Sequence, residues 1–202
     1  MGDPRISRRR LVVVGAVGTI GVLLAPEAVL ANGDDRLEVE LLRWDLIQIV
    51  QGVVLAGGTD VARDAATGDT VSLTGSGEAR PEKHKATGGG TFVHRHANGT
   101  EVAHGVYVVT GFKSFVNGGG SLVGTGLIDG IDELKKTTGG VLSLNVHLQA
   151  TSGASADGVL EVHCALPGGK PDTEGVRLSI GPLKFVQVEE GGFTLFHVLE
   201  NE

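Results

Sequence analysis

The chain has 202 residues, 41% hydrophobic and 20% charged, a balance that suits one globular domain and excludes a disordered tail. Lys and Arg number 17 against 24 Asp and Glu, and the formal charge of −7 argues against a nucleic-acid partner, which needs a basic face. One cysteine, Cys164, excludes an internal disulfide and any zinc or iron–sulfur centre built on cysteines, while 33 glycines without a collagen-like period point to many tight turns.

Residues 1–31 read as an export signal. Arg8, Arg9 and Arg10 form a positive stretch, Leu11 to Ala25 form an apolar run, and Pro26 breaks it. That run is about 15 residues, short of the roughly 20 that span a bilayer as a helix, so no permanent membrane anchor is expected. Val29-Leu30-Ala31 offers small residues at the positions a signal peptidase reads, which places cleavage after Ala31. Ser7-Arg8-Arg9-Arg10-Leu11-Val12 resembles the twin-arginine consensus, and that resemblance implies engagement of the export machinery by an already folded protein. The mature chain would then carry 13 basic and 22 acidic residues and lie in the periplasm, the envelope or outside the cell.

The remainder, residues 35–202, reads as one β-rich domain. Leu37 to Val54 is apolar and fits two strands or a strand and a helix, with Trp44 as a core anchor. Thr70 to Thr74 alternates and is ended by Gly75-Ser76-Gly77. Ile128 to Lys136 breaks the strand pattern as a helical turn or a charged loop. Val141 to Gln149 alternates most cleanly, with Leu142, Leu144, Val146 and Leu148 on one side. Val159 to Leu166 repeats this, with Leu160, Val162, Cys164 and Leu166 facing in, and Val176–Ile180, Leu183–Val188 and Phe193–Leu199 close the chain as strands. About nine or ten short strands with little helix predict an all-β antiparallel sandwich or barrel.

The chemistry-bearing constellation lies between Thr91 and Val109. Asn98-Gly99 is a strong signal for a two-residue type I′ turn. Such a turn pairs Ala97 with Thr100, His96 with Glu101, His94 with Ala103 and Phe92 with Gly105, and so puts His94, His96 and Glu101 on one face. Two imidazoles opposite a carboxylate supply three corners of a site for one divalent transition metal. The opposite face carries Val93, Val102, Val106 and Val108 and reads as the core side, which leaves the histidine face to solvent; His104 falls on the valine face, opposite Val93. The spacing of Gly88, His94, His96 and Glu101 resembles the first cupin motif, although Val108 stands where its closing glycine belongs. His197 with Asn201 matches the tail of the second cupin motif, with Thr194 at its glycine position. The resemblance implies a metal held by His94, His96, Glu101 and His197, or His147 in place of the last.

Other templates fail. There is no Gly-x-Ser-x-Gly elbow, no dinucleotide fingerprint and no phosphate-binding loop. The expected function is therefore that of an exported, soluble, non-catalytic binding or envelope-associated β-domain without a cofactor. The alternative is a cupin-like metalloprotein.

Overall fold

A computed structural model describes residues 39–189 and 191–199, so the export signal lies outside the described residues. The described residues form one compact unit. Strands account for 64% and helix for 4%, arranged as a closed ten-strand antiparallel β-barrel with three extra strands.

The ambiguous apolar segment is a hairpin, β1 (Leu41–Val50) and β2 (Val53–Ala56). Gln51 and Gly52 join them with φ of 51° and 82°, the two positive angles of a type I′ turn. Next come β3 (Asp60–Asp64), β4 (Thr70–Leu73) and β5 (Ser76–Arg80). The last two pair with β6 (Lys85–Arg95) in one uninterrupted register, from Thr70↔Arg95 to Arg80↔Lys85, so they act as a single strand relaxed at Thr74-Gly75. A long β7 (Glu101–Gly119) follows, then the two-residue β8 (Ile128–Asp129), a single 3-10 turn at Leu134–Lys136, and β9 (Thr137–Ala150). The remaining strands are β10 (Ser155–Cys164), β11 (Gly175–Ile180), β12 (Leu183–Gln187) and β13 (Phe193–Leu199). The Ile128–Lys136 stretch is thus mostly loop, pinned by β8 in a short parallel contact with β2.

Pairing runs β9–β10–β11–β12–β3–β4–β6 and returns to β9 by two routes, directly through β7 and the longer way through β5, β1 and β13. Because the sheet closes, its inward side chains are removed from water without a second sheet. Leu142, Leu144, Val146 and Leu148 of β9 and Leu160, Val162 and Cys164 of β10 are buried as their alternation implies. β1 and β13 are buried on both faces, from Trp44 and Asp45 to Phe196 and His197. The Trp44 indole lies over the paired Gly77 and Gly88, where a Cβ on Gly88 would stand 2.9 Å from its ring. Gly88 therefore serves core packing here.

The hairpin between β6 and β7 departs from the expected turn. His96 accepts from the Gly99 N–H and donates its own N–H to Thr100, both at 2.8 Å, while Gly99 alone among the loop residues has positive φ, 84°. That is a type I turn with a G1 bulge, one residue longer than the two-residue loop. His94↔Ala103 and Phe92↔Gly105 pair as expected, but Arg95, not His96, opposes Glu101. The extra loop residue puts Arg95 opposite Glu101, and a bulge at Val102 then restores the expected register at His94↔Ala103, so the departure is confined to the turn and leaves Glu101 on the outer face.

Which face is inside is also reversed. Val102, Val106 and Val108 are exposed, at 45%, 52% and 50%. Phe92 and Tyr107 are buried instead, with His94 and Ala103 half-buried beside them. Counting valines misjudged the side, because the closed barrel fills its interior here with Phe92 and Tyr107, and a Cβ on Gly105, opposite Phe92, would stand 2.8 Å from Ala150 Cα. His104 does oppose Val93, but on the exposed side.

Candidate functional site

Four hairpins turn at the same end of the barrel: β3–β4, β6–β7, β9–β10 and β11–β12. Between their tips lies a cleft of about 180 Å³. Its walls are Val71, Phe92, Ala103, Leu148, Ala150, Ala156, Ile180, Leu183 and Phe185, and only His94 and Ser155 bring polar side chains to it. Below it the barrel is filled by Leu73, Tyr107, Val146, Leu160 and Leu178, all buried, so the cleft is blind.

The polar feature of the cleft is organised by Asp69, in the β3–β4 turn. Its Oδ2 accepts from His94 Nε2 at 3.1 Å and from His96 Nδ1 at 3.2 Å, and its Oδ1 accepts the Ala97 N–H at 3.2 Å. Burial alone would raise the pKa of Asp69, but hydrogen bonds from His96 and His94 outweigh it and hold the carboxyl below its ordinary range. With Nε2–H given to Asp69, a neutral His94 keeps Nδ1 as a lone-pair acceptor, with no hydrogen bond among the described residues. The His94 ring packs edge-on to Phe185, with centroids 5.5 Å apart, which limits its rotation.

A second aspartate braces the rim. Asp64 Oδ1 accepts the Ala66 and Thr67 N–H groups of its own turn, and its Oδ2 accepts the Lys184 N–H at 2.6 Å from the start of β12. These backbone bonds, led by the one from Lys184, lower its pKa. Sequence reading missed both aspartates. The available signal was Asp64-Ala65-Ala66-Thr67-Gly68-Asp69, a run in which Asp, Thr and Gly favour a turn capped by carboxylates.

The four residues read as metal ligands are not brought together. His94 and His96 meet at Asp69, while Glu101 on the outer face takes His104 Nδ1 at 2.7 Å and Arg95 at 3.2 Å. His197 is fully buried in β13, and its Nε2 lies 2.7 Å from Asp129 Oδ2. His147 pairs with Asp157. Among the described residues, no group of three His, Cys, Asp or Glu side chains is arranged to hold a metal ion. Burial would raise the pKa of Asp129, but hydrogen bonds from His197 and from the Ile131 and Asp132 N–H groups lower it overall. Asp129 is thus committed to a structural pair.

No protein-family model, no curated protein and no solved structure matches this chain.

Proposed function

We propose that this chain is an exported, non-catalytic binding protein whose hairpin-end cleft holds a small, largely apolar molecule bearing one hydroxyl. The observation that carries this reading is the blind apolar cleft with a single oriented imidazole on its wall. Ligand sites combine apolar walls with a few placed polar groups in this way. Its volume is well below that of drug-sized pockets and close to that of a cavity able to hold benzene. A hydroxyl is favoured because His94, having given Nε2–H to Asp69, has an acceptor nitrogen to offer. The export part of the reading rests on Arg8, Arg9, Arg10 and the apolar run behind them.

Saturation-transfer NMR with p-cresol and toluene tests the cleft. Both should bind in the millimolar range or tighter, with p-cresol favoured, and Ala156→Phe, which fills the cleft, should abolish both signals. Equal binding by the folded Ala156→Phe variant would overturn the assignment.

A further inference from the structure

A second cavity, sharing no lining residue with the hairpin-end cleft, has a volume of about 160 Å³. Its walls include Ile47 and Ile49 of β1, Leu122 and Leu127 of the β7–β8 connection, and Phe193 of β13. Ile49 and Phe193 are 39% and 40% exposed, large apolar side chains left open to solvent beside it. Among the described residues, the ionisable group that lines this cavity is Glu174, just ahead of β11.

Glu174 is held firmly, but without a counter-charge among the described residues. Its Oε2 accepts the Ala165 N–H at 2.6 Å, and its Oε1 accepts the Thr194 N–H at 2.5 Å. The Thr194 hydroxyl lies 2.9 Å from Oε1 and 2.8 Å from the His163 carbonyl, and its one proton can serve only one of them. Among the described residues no lysine, arginine or histidine pairs with Glu174. The charged and titratable neighbours work against its ionisation or leave it alone. Asp60 of β3 adds negative potential, Cys164 of β10 is a buried neutral thiol, and His163 of β10 turns its ring to Thr173 and Glu161. A fixed, half-buried carboxylate beside an apolar cavity is an incomplete ion pair, and a ligand can complete it.

We propose that this cavity is a binding site for a small primary ammonium compound, its alkyl tail against Ile47, Ile49 and Leu127 and its ammonium on Glu174. The bound cation replaces the proton that burial otherwise holds on this carboxyl, whose pKa is pushed up to about 7. Binding therefore requires proton release below neutrality and becomes stronger as Glu174 ionises. This site is independent of the hairpin-end cleft.

Calorimetric titration of the full chain with n-butylammonium, n-butanol and n-butyrate between pH 5.5 and 8 tests it. Butylammonium should bind most tightly at pH 8, with affinity about 30-fold lower at pH 5.5, while butanol binding stays flat and butyrate fails to bind. Glu174→Gln should remove both the ammonium preference and the pH dependence, and Leu127→Trp, which fills the cavity, should remove binding. Ala156→Phe, in the other cleft, should change nothing. If the wild type shows no preference for butylammonium over butanol at pH 8, or no pH slope, the proposal is overturned whether or not Glu174→Gln folds. Loss of ammonium binding in Ala156→Phe would overturn it as well.

Discussion

Glu174 also makes folding stability depend on pH, with a sign opposite to that of most carboxylates. Burial raises its pKa from 4.5 to about 7, even though the Ala165 and Thr194 N–H groups favour the charged form. Below pH 4.5 the group is protonated in both the folded and unfolded states and contributes no pH slope. Between 4.5 and 7 the unfolded chain loses the proton while the folded chain keeps it, so stability falls as pH rises. Above 7 both are ionised and the loss is constant. At about 1.4 kcal/mol per pKa unit, the total is about 3 kcal/mol. Asp69 and Asp129 have lowered pKa values and act the other way, adding stability that is lost as pH falls below about 4. His163, kept neutral chiefly by burial, gives a stability that rises as pH climbs toward its ordinary value of 6.5. Those contributions are common to wild type and Glu174→Gln and cancel in their difference. Urea unfolding of both proteins at half-unit steps from pH 4.5 to 8 is the assay. The stability of the wild type minus that of the variant should fall by about 3 kcal/mol across the range, whatever the constant offset from placing an amide against the Ala165 N–H. A difference that stays flat would refute the burial of a protonated carboxyl at this position.

Three shorter predictions follow from the turn, the core and the N-terminus. Gly99→Ala should cost about 1 kcal/mol in chemical unfolding, since nothing lies within 4 Å of the new Cβ and only the backbone at φ 84° is strained. Asn98→Ala should cost less, because Asn98 does not adopt positive φ and only the exposed hydrogen bond from the Thr100 N–H to its Oδ1 is lost, whereas a type I′ turn would add backbone strain at this position too. Gly88→Ala should cost about 2 kcal/mol or more, because φ is 131° and the new Cβ would stand 2.8 Å from Gly77 Cα and 2.9 Å from Trp44. The emission of Trp44, the sole tryptophan, should shift to the red; unchanged emission and stability would contradict the packing described. Replacing Arg8 and Arg9 together by Lys should stop export through a twin-arginine route while keeping the charge, and normal export of that variant would exclude the route.

What the sequence made legible is what repeats with period two over many residues. The alternation in β9 and β10 is long enough to identify strand, face and burial together, and Leu144 and Val162 are inside for that reason. The hairpin at Asn98-Gly99 was legible as a hairpin, but its turn type was not. A glycine in the left-handed region serves both a type I′ turn and a G1 bulge, and the choice depends on a single residue. That residue, with the bulge at Val102 that absorbs it, decides whether Glu101 joins His94 and His96 or His104 and Arg95. The inner face of β6 and β7 was misread because it carries Phe92, His94, Ala103, Gly105 and Tyr107, a set that looks less apolar than the valines outside. Asp69 lies 25 residues before His94, and the long pairing of β4 and β5 with β6 that sets Thr70 opposite Arg95 and brings them together leaves no short-range pattern. Glu174 has none either, since it is held by the backbone N–H groups of Ala165 and Thr194, 9 and 20 residues away, which no period-two alternation points to.

The central claim is that the hairpin-end cleft takes a small apolar ligand. Its most direct test is a set of isotope-filtered nuclear Overhauser contacts between bound p-cresol and the methyl groups of the protein. The account predicts contacts to Val71, Ala103, Ala156 and Ile180, whose side chains line the cleft. Contacts confined to Val102, Val106 and Val108, the exposed valines on the outer face of β7, would contradict it.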